Sequence, residues 1–296
     1  KSDSALSVLT VSPSWLSPGA SVTLKCHVKH PSAGWRFYWY KAVPHPSYEP
    51  YRYELLPDSS EGTEQEVFTI HGQKNTTGYV CRAGRGDPQF YSKYSRPKFT
   101  WYMDSSVSLR VSPNRSQHFT SESISLSCET NSDKRRVRRF YENSYSDCDH
   151  YSWRTSTSPC IISWTVYNGA VFWCESGSGE FSNAVNISTH AYIILESPVH
   201  PVTEGQPLTL SCRLWTDGIL SDVSFYKNGK LIQNGTSGQL NISAVSKSDE
   251  GFYQCERTQV KSLRPQVWKS SEMKAFPYHI LLITLKHLYV KCVFLI

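Results

Sequence analysis

The residues best able to do chemistry in this 296-residue chain are nine cysteines: Cys26, Cys81, Cys128, Cys148, Cys160, Cys174, Cys212, Cys255 and Cys292. Thiols hold zinc or run redox exchange when they come as C-x-x-C, and no such pair occurs, so zinc ribbons and thioredoxin-type sites have no basis. An odd count cannot pair off within one chain, which leaves at least one thiol to explain. The ten histidines are scattered, and His27 and His30 flank Cys26 without a third ligand. No G-x-S-x-G, H-E-x-x-H or phosphate-cradling glycine loop occurs, so no catalytic residue, metal site or cofactor is expected. Two further groupings suit recognition. Arg85-Gly86-Asp87 could offer a guanidinium and a carboxylate to an integrin, with Pro88 biasing Asp87 towards extended backbone. Lys134, Arg135, Arg136, Arg138 and Arg139 form a dense basic run suited to a sulfated or sialylated glycan, or simply to a solvated strand end.

The elements that must carry these groups are strands. Aromatic residues make up 13% of the chain, Met is scarce at 2, and Pro and Gly stand at 16 each, a balance that favours strands and turns over helical bundles. The net charge of +6 permits acidic partners without requiring nucleic acid. Three runs alternate apolar and polar residues and end in cysteine: Ser21 to Cys26, Ser123 to Cys128 and Pro207 to Cys212. Period two means a strand with one buried face, and each cysteine falls on that face. Three copies of one pattern make an internal repeat. A second strand closes each unit, with Tyr79, Phe172 and Tyr253 two residues before Cys81, Cys174 and Cys255. In the third copy Asp249, Gly251, Tyr253 and Cys255 form D-x-G-x-Y-x-C, the corner in which a Tyr hydroxyl bonds back to backbone. Trp39 is placed to pack on the first cysteine pair, with Phe140 and Phe225 expected at the equivalent positions of the other units. Within the basic run, strand alternation puts Arg136 and Arg138 on the face of Phe140, and Val137 with Arg139 on the other.

These residues resemble the immunoglobulin superfamily over most of the chain. The resemblance implies an all-β fold of three tandem immunoglobulin-like sandwiches of constant or intermediate type, divided as residues 1–103, 104–190 and 191–272, with an apolar tail at 273–296. It also implies inter-sheet bridges Cys26–Cys81, Cys128–Cys174 and Cys212–Cys255. The four cysteines of the second unit allow three connectivities; the sandwich takes Cys128 to Cys174, which leaves Cys148 to Cys160. Such bridges need an oxidising compartment, hence the extracellular side of the plasma membrane or secretion. Five N-x-S/T sequons, at Asn75, Asn114, Asn186, Asn234 and Asn241, are then expected to carry glycans. The start, Lys1-Ser2-Asp3, has no apolar leader run, as expected once a secretory signal has been removed.

The run Glu204 to Trp215, followed by Val223 to Lys230 with its Y-K-N-G-K turn, is similar to the ligand-binding domain of leukocyte Fc receptors and Fc receptor-like proteins. In those receptors two tryptophans grip a proline of the antibody Fc. By position Trp215 matches one plate, and Tyr192 stands where the family has the other Trp, with less stacking area. The resembled mode implies further contacts from loops at one end of the third unit, including Thr216, Asp217, Lys230, Arg257 and Lys261. The implied partner is an immunoglobulin Fc or another immunoglobulin-superfamily protein. The different-class alternative is adhesion, through integrin or glycan contacts of the first or second unit.

The tail is apolar but interrupted by His279, Lys286, His287 and Lys291, and its apolar gain roughly cancels the cost of the lysines, which makes it a candidate degenerate membrane span. In a span, Lys286 could pair with an acidic residue of a membrane signalling adaptor. Cys292 is the ninth thiol, and it lies in this tail. No I/V-x-Y-x-x-L motif lies outside the sandwiches, so signalling is expected to need a partner.

Overall fold

In the computed structural model the described residues are 5–257, apart from 17–18, 30–33, 87–88, 103–107, 130–133, 149–158, 164–168, 192, 200–201, 216–217 and 236, together with 290–292. They form an all-β chain of three sandwiches. The first consists of β1 (Ser7–Ser12), β2 (Trp15–Leu16), β3 (Val22–Val28), β4 (Arg36–His45), β5 (Tyr48–Leu55), β6 (Val67–Ile70), β7 (Thr77–Arg85), β8 (Phe90–Tyr91) and β9 (Lys98–Tyr102). Its sheets run β1-β3-β6 and β2-β9-β7-β4-β5, with β8 on β7. The alternating run of β3 buries Val22, Leu24, Cys26 and Val28, and Trp39 lies fully buried opposite Cys81 with its indole donating to Thr63 Oγ1 at 2.9 Å.

The second sandwich repeats this plan with β10 (Ser108–Ser112), β11 (Gln117–Phe119), β12 (Ser123–Glu129), β13 (Arg135–Tyr141), β14 (Ser144–Asp147), β15 (Cys160–Ser163), β16 (Ala170–Ser176) and β17 (Val185–His190). Its sheets are β10-β12-β15 and β11-β17-β16-β13-β14. The third has β18 (Ile193–Glu196), β19 (Leu208–Leu214), β20 (Gly218–Ile219), β21 (Val223–Lys227), β22 (Lys230–Gln233), β23 (Gln239–Ile242), β24 (Gly251–Arg257) and β25 (Val290–Cys292). Here β19 pairs with β18, β20 and β23, and the other sheet runs β22-β21-β24-β25.

Disulfides join Cys26 to Cys81, Cys128 to Cys174, Cys148 to Cys160 and Cys212 to Cys255. Phe225 is buried opposite Cys255, as Trp39 is opposite Cys81. Phe140 departs from the expectation. Val137 stands opposite Cys174 and packs on the second core, while Phe140 points out of the other face. The reason is parity: Phe140 follows Cys128 by 12 residues, whereas Trp39 and Phe225 follow Cys26 and Cys212 by 13, so Phe140 falls on the opposite face while its neighbour Tyr141 packs on the core.

The corner of the third sandwich forms as expected. Tyr253, buried, donates its hydroxyl to Asp249 O at 2.8 Å, and Asp249 caps the preceding turn by accepting from Ser246 N at 2.8 Å. Tyr253→Phe is expected to lower the stability of this sandwich by about 1–2 kcal/mol, the net worth of one buried hydrogen bond; equilibrium denaturation checks it.

Candidate functional site

Two constellations stand out. The first is the contact between the first two sandwiches, which meet face to face through the outward faces of β4, β5, β7 and β9 on one side and of β13, β14 and β16 on the other. Phe99 lies 5.1 Å from Trp173 and 5.2 Å from Tyr145, and Trp101 lies 5.1 Å from Phe140, ring centre to ring centre. Ala184 N donates to Tyr102 O across the junction at 2.8 Å. Gly179, at φ 96°, lets its hairpin close on Val43, whose Cγ1 would stand 2.9 Å from any Cβ added there.

Inside this apolar contact sits a charge network. The fully buried Glu175 accepts from Arg136 Nε at 2.7 Å, from Tyr51 Oη at 2.5 Å and from Trp173 Nε1 at 3.0 Å. Arg138 Nη1 donates to Asp147 Oδ1 at 2.6 Å, and its Nε lies 3.8 Å from Glu175. Burial, and then the Glu175 charge, push the Tyr51 hydroxyl well above its ordinary value, so it stays protonated and donates. Burial works against the charge of Arg136, but the Glu175 carboxylate outweighs it and raises its pKa. The expected solvated end of the basic run is therefore corrected: Arg136 is 2% exposed and Arg138 8%. Strand alternation had put both arginines on one face with Phe140, and that face is covered by the first sandwich.

The second constellation is the end of the third sandwich nearest the second. β18 and β19 are antiparallel with Ile193 opposite Leu214, and β19 folds back into β20 with Leu214 opposite Gly218. Trp215 opens the turn of that hairpin and is 55% exposed, a large indole left in water. Beneath it Arg213 Nη1 donates to Glu196 Oε2 at 3.2 Å, and Glu196 Oε1 accepts from Arg115 of the second sandwich at 3.2 Å. Gln117 Oε1 accepts from Leu195 N at 2.9 Å. This polar junction ties the base of the Trp215 hairpin to the second sandwich.

Of the other residues named from sequence, Tyr192, Thr216, Asp217 and Lys261 lie outside the described residues. Lys230 is exposed but stands in β22 rather than in a loop. Asn228 and Gly229, at φ 52° and 76°, close a two-residue hairpin turn, so the strand resumes at once. Arg257 is likewise the last residue of β24 and not part of a loop. Sequence reasoning missed Ile219, which is 49% exposed on β20; the apolar Gly-Ile-Leu run just past Trp215 was the available signal. Arg85 stacks over the Trp35 ring at 4.5 Å, and Asp87 lies outside the described residues. Asn75, Asn114, Asn234 and Asn241 are exposed, and Asn186 is half-buried on β17. Among the described residues no helix is long and apolar enough to cross a membrane, and no group of three His, Cys, Asp or Glu could hold a metal ion. Most of the tail, including Lys286, lies outside the described residues; Val290–Cys292 pairs in parallel with β24.

Residues 192–266 match the model of the immunoglobulin domain family. The chain is 30% identical over 95 residues to human Fc receptor-like B, covering 31% of this chain and 22% of that protein. It is 37% identical over 70 residues to human Fc receptor-like A, covering 23% and 20%. The chain thus carries an immunoglobulin domain over residues 192–266 and is similar in part to Fc receptor-like proteins. It is also 29% identical over 104 residues to the low affinity immunoglobulin gamma Fc region receptor III-A of Mustela putorius furo, covering 34% of this chain and 41% of that one. The chain spans about a fifth of the length of the Fc receptor-like A and B relatives it matches.

One titratable group sits at the junction that carries the Trp215 hairpin. His118 is fully buried, with Nε2 bonded to Arg115 O at 2.7 Å, so that nitrogen carries the proton. Burial, and then the neighbouring Arg115 charge, lower its pKa to about 4. The unfolded chain takes up this proton near pH 6.5 and the folded chain only near pH 4, so stability is lost as pH falls through that window, by at most about 3 kcal/mol. Thermal unfolding between pH 7 and pH 4.5 is expected to show this loss in the native chain, with a shallower slope in His118→Gln.

Proposed function

We propose that this chain is the ligand-recognising ectodomain of an Fc receptor-like immune receptor, displayed on the cell surface or secreted, that binds an immunoglobulin Fc or another immunoglobulin-fold protein. The observation that carries the reading is Trp215: a mostly exposed indole at the tip of the β19–β20 hairpin, held over a polar junction between two sandwiches. An aromatic side chain on a rigid hairpin supplies large contact area at small entropic cost, the profile of a binding anchor. Tyr192, next in the chain to Ile193, is assigned to the same contact, with Thr216, Asp217, Lys230, Arg257 and Lys261 around it.

The boundaries 1–103, 104–190 and 191–272 delimit the three units in this reading, and 273–296 is the apolar tail, a candidate degenerate membrane span in the displayed form. Glycans are assigned to the five sequon asparagines. Signalling would pass through an associated membrane adaptor. The adhesion reading through Arg85-Gly86-Asp87 or through an open face of the basic run draws less support, because Arg85 is held by Trp35 and the outer face of the run is covered by the first sandwich. Binding of the immobilised chain to purified immunoglobulin is the test. Loss of that binding in Trp215→Ala supports the reading; binding that survives in Trp215→Ala but disappears in Asp87→Glu would move the site to the first sandwich.

A further inference from the structure

The junction of the first two sandwiches leaves a cleft of about 570 Å³ beside the aromatic contact, between the β1 and β9 side of the first sandwich and the β13–β14 hairpin of the second. That volume lies in the range of small-molecule sites. Its chemistry is lopsided. Arg96 and Lys98 line one wall, Arg138 lies at the base, and no Asp or Glu is among the lining residues. Neither Arg96 nor Lys98 has a carboxylate partner among the described residues. The nearest carboxylates to Arg138 are Asp147 and Glu175, and the second of these is already held by Arg136, Tyr51 and Trp173. Arg138 is more than nine-tenths buried, yet its Nε–H donates to no acceptor. A buried guanidinium whose Nε lies 3.8 Å from Glu175 without a hydrogen bond, beside two cations that have no carboxylate partner among the described residues, is a setting that favours an anion.

The remaining surfaces narrow the class of anion. Leu6, just before β1, and Val8 within it are large apolar side chains left exposed, and both line the cleft. Asn143 and Ser144, at the positive-φ turn between β13 and β14, bring polar groups to the lip. Tyr94 presents a partly exposed ring. A carboxylate for the cations, a small apolar group for Leu6 and Val8, hydroxyls for the lip and a ring for Tyr94 combine in one kind of ligand. We propose that this cleft binds a terminal acidic sugar that carries both a carboxylate and an N-acyl group. The site is distinct from the Trp215 hairpin and does not depend on that assignment.

The probe is the methyl glycoside of N-acetylneuraminic acid, titrated by saturation-transfer NMR against the 296-residue chain produced without sialylated glycans of its own. Methyl glucuronide, which lacks the acyl group, and methyl N-acetylglucosaminide, which lacks the carboxylate, are the comparisons. The expected result is binding in the millimolar range for the first sugar, about tenfold weaker for each comparison, and at least about tenfold weaker in Lys98→Gln, the effect of one lost charge-assisted hydrogen bond. Arg96→Gln with Lys98→Gln is expected to abolish binding while thermal unfolding stays unchanged. Val8→Asp, which sets a carboxylate in the cleft from an exposed position, is expected to abolish it independently. No binding by the native chain, equal binding of the neutral sugar or of the glucuronide, or native affinity in either folded variant would overturn the proposal.

Discussion

Replacing Glu175 by Gln is expected to destabilise the first two sandwiches by on the order of 3–5 kcal/mol, the cost of leaving a buried guanidinium without its counter-charge. The amide can still accept from Tyr51 and Trp173, but its NH2 group would face the Arg136 donor, so the loss falls on the ion pair. Urea denaturation followed by tryptophan fluorescence reads it directly, because Trp101 and Trp173 both lie in the contact. Removing both charges is a different case. Arg136→Met with Glu175→Leu is expected to recover most of the loss, since an apolar pair of similar volume often replaces a buried ion pair at little cost. A loss below about 1 kcal/mol in Glu175→Gln would mean that the network is solvated and that the two sandwiches are not tightly joined.

The second large effect concerns binding. Trp215→Ala is expected to weaken immunoglobulin binding by about thirtyfold or more, the threshold of a hot-spot aromatic at roughly 2 kcal/mol. Trp215→Phe keeps a ring in the same place and is expected to lose less. Folding is not at stake in either variant, because the indole is mostly in water and belongs to none of the three cores.

Strand pattern made the cores of the sandwiches legible. Val22, Leu24 and Cys26, like Leu208, Leu210 and Cys212, alternate strictly, and each set is buried on one face. Phe140 shows where counting fails. Phe140 stands one residue short of the offset of 13 that Trp39 and Phe225 share, and with a period of two that one residue reverses the face; Tyr141, at 13, is the residue that packs on the core. The basic run held a warning, because Phe140 shares its face with Arg136 and Arg138, a poor lining for a core.

The contact between the first two sandwiches was not legible, because its partners come from distant parts of the chain: Tyr51 reaches Glu175 and Phe99 reaches Trp173. The local trace was in strands that do not alternate. Phe37 to Ala42, apart from Lys41, and Ala170 to Glu175 are buried on both faces, as strands covered on two sides must be. The third sandwich was read in more detail because its motifs are local. The D-x-G-x-Y-x-C corner and the Asn-Gly turn each fit within a few residues, and each forms as its sequence implies. The start of β22 at Lys230 and the end of β24 at Arg257 were both missed, a matter of hydrogen-bond register that residue type does not carry.

The central claim is that the exposed Trp215 hairpin is the recognition surface. The most direct measurement is the ratio of dissociation constants for purified immunoglobulin Fc between native chain and Trp215→Ala, at equal thermal stability. The account predicts saturable binding by the native chain and a ratio of about thirty or more. Saturable binding with a ratio within about twofold would contradict it.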